Sequence, residues 1–288
     1  MIDLRVGHPR TLPHTIVAKA CRAGADRLDA KDEAHFPLQY ASSSAGTPRF
    51  LHQLSHFLSD AYGERVSEQS LMTTNGVSHA LDLCVGALSS PGDLAIVEEP
   101  TYFLVRSIFL DHGLEVCGVP GDDQGLDTAE LGRRLASGTL RPPRLLYIVS
   151  THGNPSGASL HPSRRSELVG LARRYGFHIL SDDVYQLLGW DDFPGRRLIQ
   201  FDSTYARGVG REVGCSGEEE CGQDEAYTQA PGCAVGADER EESEGVVISI
   251  CSFTKILAPG LRLGWIEASP SLLKKIRARG CDLMAASI

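Results

Sequence analysis

Short apolar runs alternate with longer stretches of helical periodicity along most of the chain. Runs of four to six residues predict strands over 94–98, 115–119, 145–150, 178–181, 246–251 and 263–267. Between them, apolar residues recurring every three or four positions predict helices over 48–62, 78–88, 103–112, 128–137, 162–175 and 271–279. The 48–62 segment gathers Phe50, Leu51, Leu54, Phe57, Leu58 and Ala61 on one face, which marks a core or interface surface and implies no chemistry. Alternating strands and helices indicate an α/β fold. Several strands are apolar throughout, so the sheet is expected to be mainly parallel, with helices on both faces. Ligands of such sheets sit beyond the carboxyl ends of the strands. Polar residues just after each apolar run are therefore the first candidates for function.

Residues 207–245 break this pattern. They are rich in Gly, Glu, Asp and Ser and poor in large apolar residues, which predicts a disordered surface loop. This insert carries eleven acidic residues and three Arg, and so eight of the nine net negative charges. The acidity thus describes the insert rather than the fold, and it argues against nucleic acid as a partner. Gly208, Gly210 and Gly214 have the look of a dinucleotide-binding glycine pattern, but no strand precedes them. The eight cysteines (21, 84, 117, 215, 221, 233, 251 and 281) form no Cys-x-x-Cys pair, so neither a metal site nor a disulfide framework is expected. No targeting segment stands at the start, and no run approaches the ~18 apolar residues of a membrane span. A soluble, cytoplasmic protein without membrane contact is the expectation.

The strand at 246–251 leads into Ser252, Phe253, Thr254 and Lys255, and Arg262 follows seven residues later. A lysine amine can form a Schiff base with a carbonyl cofactor. A nearby serine and arginine suit a phosphate, one by hydrogen bonding and the other by charge. Together they point to pyridoxal 5'-phosphate. Three other strand-end motifs join this one: Thr151-His152-Gly153-Asn154-Pro155-Ser156-Gly157, Ser181-Asp182-Asp183-Val184-Tyr185, and Asn75-Gly76-Val77-Ser78. The last opens a helix whose first amides can hold an anion. Taken singly, each of the three reads as an ordinary turn, cap or loop.

In this order, the motifs resemble those of the fold-type I, pyridoxal-phosphate-dependent aminotransferases of class I/II, from about residue 12 to 275. Gly7-His8-Pro9 and Leu12-Pro13 are most similar to the branch containing aminoadipate and aromatic aminotransferases. The resemblance implies an N-terminal segment over 1–40 and a cofactor-binding large domain over 41–275, interrupted by the insert. Residues 276–288 would be the truncated start of a small C-terminal domain that is otherwise missing. It implies that Lys255 forms the Schiff base and moves the proton, and that Asp182, through the Asp-x-x-Tyr spacing, pairs with the pyridinium nitrogen. Tyr185 and Asn154 would bond the ring's 3'-oxygen, and Tyr102 would stack on the ring, although it also reads as a core tyrosine. Ser78, the Val77 and Ser78 amides, Ser252 and Arg262 would hold the phosphate. Tyr40, also readable as a plain surface residue, would reach the phosphate of the neighbouring subunit in a homodimer. The substrates implied are an amino acid and a 2-oxo acid, with the arginine for the substrate α-carboxylate expected in the missing domain. C–S β-lyases and aminocyclopropane-carboxylate-synthase-like enzymes share these cofactor motifs, so they remain alternatives, as does an inactive cofactor-binding fragment. A transcription-regulator role is not expected, since no basic DNA-binding segment precedes the domain.

Overall fold

The computed structural model describes residues 14–28, 44–189, 195–202 and 244–285. Seven α-helices are present among them: α1 (His14–Leu28), α2 (Pro48–Tyr62), α3 (Val77–Leu88), α4 (Phe103–Asp111), α5 (Thr128–Ala136), α6 (Pro162–Tyr175) and α7 (Pro270–Ala285). Eight strands accompany them: β1 (Leu71–Thr74), β2 (Leu94–Glu99), β3 (Glu115–Asp122), β4 (Gly125–Leu126), β5 (Leu145–Ile148), β6 (His178–Asp182), β7 (Val247–Ser252) and β8 (Gly264–Glu267). They form one sheet in the order β1-β8-β7-β6-β5-β2-β3-β4.

The middle of the sheet is parallel, running β3, β2, β5, β6, β7. Every residue of β5, β6 and β7 is buried, which is why these strands read as nearly continuous apolar runs. Alternation along β2 sends Ala95 and Val97 into a core shared with α3, α4 and α7. Leu94 and Ile96 enter the opposite core, under α5 and α6. A third core lies beneath α2, whose Leu51, Leu54 and Leu58 pack with Trp265 and Cys251.

All six predicted strands and all six predicted helices are present, with ends shifted by a few residues. The sheet departs from parallel order at its margins: β8 runs antiparallel to both β7 and β1, and β4 antiparallel to β3. Helix α7 runs unbroken through residue 275, where the sequence suggested a domain boundary. Most of the acidic insert lies outside the described residues. Its last part is tied down, because Glu244 pairs with Lys275 at 2.6 Å. Among the described residues, no helix is long and apolar enough to cross a membrane. No group of His, Cys, Asp or Glu among them could hold a metal ion.

Candidate active site

The ends of β5, β6 and β7, the turn entering α4 and the first residues of α3 converge on one cleft of about 170 Å³. Nine of the ten residues singled out from the sequence line it: Val77, Ser78, Tyr102, Asn154, Asp182, Tyr185, Ser252, Lys255 and Arg262. Tyr40 lies outside the described residues. Val149, Val184 and Thr254 also line the cleft. Val184 could have been suspected from its place between Asp182 and Tyr185; Val149 and Thr254 carried no signal beyond their nearness to motif residues.

One end of the cleft suits an anion. Gly76 precedes α3 with φ +87, so the chain turns sharply there, and Val77 and Ser78, the first residues of the helix, line the cleft. A side chain at Gly76 would also meet Arg262, whose Nη2 lies 2.8 Å from the ideal Cβ position. Arg262 is itself left-handed, with φ 52, and donates from Nη2 to the Asn75 carbonyl at 3.1 Å. The guanidinium is thereby held beside the helix N-terminus, where positive partial charge accumulates. Gly264 permits this approach: a Cβ there would lie 2.8 Å from the Gly76 Cα and 2.9 Å from the Cys251 carbonyl oxygen. Ser252, at the end of β7, accepts from the Thr254 amide at 3.3 Å.

The opposite wall is acidic. Asp182 is 4% exposed, and burial pushes its carboxyl up to about 6. The Tyr147 hydroxyl, donating to Oδ2 at 2.7 Å, works against that rise, while the charge of Asp183 adds to it. The Val184 amide and the Lys255 ammonium also favour the carboxylate. Its second oxygen, Oδ1, is buried without a hydrogen-bond partner among the described residues. An unpaired buried carboxylate oxygen is costly, and the group that would best satisfy it is a cationic N–H donor in the cleft. Asp183 differs. It accepts from the hydroxyls of Ser150 (3.0 Å), just past β5, of Ser181 (2.7 Å) in β6 and of Ser249 in β7.

Lys255 Nζ stands 5.9 Å from the centroid of the Tyr185 ring. The Tyr185 hydroxyl is hydrogen-bonded with the Asn154 side chain, which eases an upward pKa shift caused first by burial and then by the Asp182 charge. Tyr102 is shifted upward for the same two reasons. The loop carrying Asn154 is held from below by Arg165 of α6, a residue the sequence did not single out. Its guanidinium donates to the Leu160 and Ser150 carbonyls, both at 2.8 Å, and to Thr151 Oγ1 at 3.1 Å. Thr151 in turn donates to Gln186, next to Tyr185, at 2.6 Å.

A model of the family described as aminotransferase class I and II matches residues 1–281. The chain is 27% identical over 270 residues to an aromatic-amino-acid aminotransferase of Thermococcus litoralis, covering 93% of this chain and 54% of that protein. It is 28% identical over 254 residues to a mitochondrial kynurenine/alpha-aminoadipate aminotransferase of Rattus norvegicus, covering 83% and 50%. In structure it is similar to a kynurenine aminotransferase of Pyrococcus horikoshii solved with PMP, with TM-score 0.71 and 26% identity over 96% of this chain and 58% of that one. The chain thus spans about half the length of the relatives it matches.

Proposed function

Since the chain belongs to the class I and II aminotransferase family, we propose that its cleft holds pyridoxal 5'-phosphate and serves transfer of an amino group between an amino acid and a 2-oxo acid. The observation carrying this reading is the unpartnered Asp182 oxygen, in a cleft that also holds Lys255 and the N-terminus of α3. These residues fit a planar group with a phosphate at one end and a protonated ring nitrogen at the other. When bound, the cofactor supplies the carbonyl and the electron sink.

The chain's own residues do the rest. The α3 amides, Ser78, Ser252 and Arg262 bind the phosphate and fix the group's position. Tyr102 and Val184 supply an aromatic and an aliphatic wall. Asp182 would keep a ring nitrogen protonated, and such a cation would draw its carboxyl back toward the ionised state. Asn154 and Tyr185 hold the oxygen beside the reacting carbon. Lys255 would be the general base, its amine taking a proton from the substrate α-carbon and returning it nearby. By the same reading Tyr40 would reach the phosphate of a neighbouring subunit in a homodimer, and the protein would work in the cytoplasm.

The test is an absorbance spectrum of the chain with pyridoxal 5'-phosphate, before and after borohydride, with Lys255→Ala alongside. The expected result is a band that reduction fixes covalently to Lys255, and its absence in K255A. A folded chain that gives no band, or a label on another lysine, would sink the proposal. Product analysis then separates the reactions: a new amino acid from 2-oxoglutarate means transfer, whereas pyruvate and ammonia from a cysteine conjugate mean β-elimination.

A further inference from the structure

A second cavity, of about 460 Å³, opens between the ends of β2 and β3 and the loop that follows Asn154. Its walls are Glu98, Glu99 and Pro100, then Gly121, Asp122 and Asp123, then Ser156, Gly157 and Ala158. Glu98 continues the row of Leu94 and Ile96 toward the core under α5 and α6, so the fold buries it to 6% exposure. Its carboxylate makes no hydrogen bond or ion pair with the described residues, and burial alone pushes it up to about 7. Its Oε1 lies 2.9 Å from the point where a Cβ on Gly121 would stand, so the missing side chain there leaves the oxygen facing the cavity. The cations nearby are already engaged. Arg164 grips Asp122 through two bonds of 2.6 and 2.7 Å, and Arg106 lies 3.6 Å from Glu99. Asp123 adds a further carboxylate at the exposed mouth.

We propose that this cavity binds a small organic ammonium ion without a carboxylate, a short alkyl diamine, with one ammonium against Glu98 and the other toward Asp123. Glu98 is largely removed from bulk water, has no partner among the described residues and meets solvent only where it faces the cavity, so a charge-assisted N–H bond from an occupant would offset its desolvation. Among the described residues no group of carboxylates here is close enough to hold a metal ion, whereas Pro100 and Ala158 offer an apolar wall to an alkyl chain. The surplus of negative charge turns away amino acids, whose carboxylate would face Glu98 and Asp123. The two loops that form the walls also reach the lysine cleft. One runs from Glu99 and Pro100 to Tyr102, the other from Asn154 to Ala158. An occupant therefore touches the segments that carry Tyr102 and Asn154, yet its binding does not depend on the cofactor reading.

The experiment is calorimetric titration of the full chain, without cofactor, by 1,4-diaminobutane at pH 8 and pH 6. Wild type is compared with Glu98→Gln and Asp123→Asn, and magnesium chloride and 4-aminobutanoate serve as control ligands. Saturable binding is expected at pH 8. It should weaken about tenfold at pH 6, because the ionised fraction of a group titrating at about 7 falls by that factor. Among the described residues no histidine lines the cavity to mimic this change. Glu98→Gln keeps the shape, so circular dichroism should be unchanged while affinity at pH 8 falls about tenfold and its pH dependence disappears. Asp123→Asn, at the surface, should cost about twofold to threefold. Absence of saturation overturns the proposal, as does equal binding of magnesium or 4-aminobutanoate. Should Glu98→Gln fail to fold, the pH ratio and Asp123→Asn decide; affinity that neither moves overturns it too.

Discussion

Asp182 and Asp183 follow one another at the end of β6, both almost wholly buried, and enter different surroundings. Asp183 is enclosed by serine hydroxyls from β6, from β7 and from just past β5, so its charge is solvated by the fold. Asp182 has the Tyr147 hydroxyl on one oxygen and an open cleft before the other. The contrast teaches that burial of a carboxylate says little about its role until its acceptor capacity has been counted. A saturated carboxylate stabilises the fold, and one left short is prepared for a ligand.

The largest effect should come from Asp183→Ala. It strands three buried hydroxyls and opens a hole, which should cost about 3–5 kcal/mol of stability by urea denaturation. A loss under about 1 kcal/mol would mean that the hydroxyl cradle does not matter. Asp182→Asn should act in the opposite direction. The folded carboxyl titrates at about 6, above its ordinary 3.8, so the folded state holds a proton that the unfolded chain releases in that window. Stability of the cofactor-free wild type should therefore fall as pH rises from about 4 to about 6, and stay lower above it. Asn cannot ionise, so D182N should be up to about 3 kcal/mol more stable at pH 8 and show little change across that window. An unchanged or less stable D182N would show that Asp182 is not short of partners. The smallest effect is expected from Tyr147→Phe, which removes the side-chain hydroxyl that donates to Asp182 among the described residues. It should cost about 1 kcal/mol above pH 6, shrink at lower pH, and move the Asp182 transition upward. A cost independent of pH would assign Tyr147 to packing alone.

The chain's periodicity made the central parallel strands and their covering helices legible, because both sheet faces are buried and the strands had to be apolar throughout. It did not reveal β1, whose four residues Leu71, Met72, Thr73 and Thr74 are half polar and gain their place only by pairing with β8. Nor did it reveal α1, whose residues are mostly exposed, Ile16 among them. The cleft was legible to the extent that its residues follow strands or open helices: Lys255, Asp182, Asn154, Ser78 and the others fall together because parallel strands end on one side. What the sequence could not display were partnerships across long separations. Arg165 supports the Asn154 loop from a helix whose pattern reads as ordinary, and the hydroxyls around Asp183 include one 66 residues further along the chain. Glu98 likewise reads as the polar end of a strand until its isolation in the fold is seen.

Strand β1 also has a timetable. Thr74 pairs with Gly264, some 190 residues later, and among the described residues no other strand borders β1. At a synthesis rate of about 5–20 residues per second, the chain from Leu71 to Ser78 waits roughly 10–40 seconds for its neighbour to leave the ribosome. Until then Gly76 has no Gly264 behind it, and Arg262 cannot reach Asn75. The anion-binding end of the cleft is thus the last part of the site to close, and capture of a phosphate-bearing ligand there must follow emergence of β8 from the ribosome.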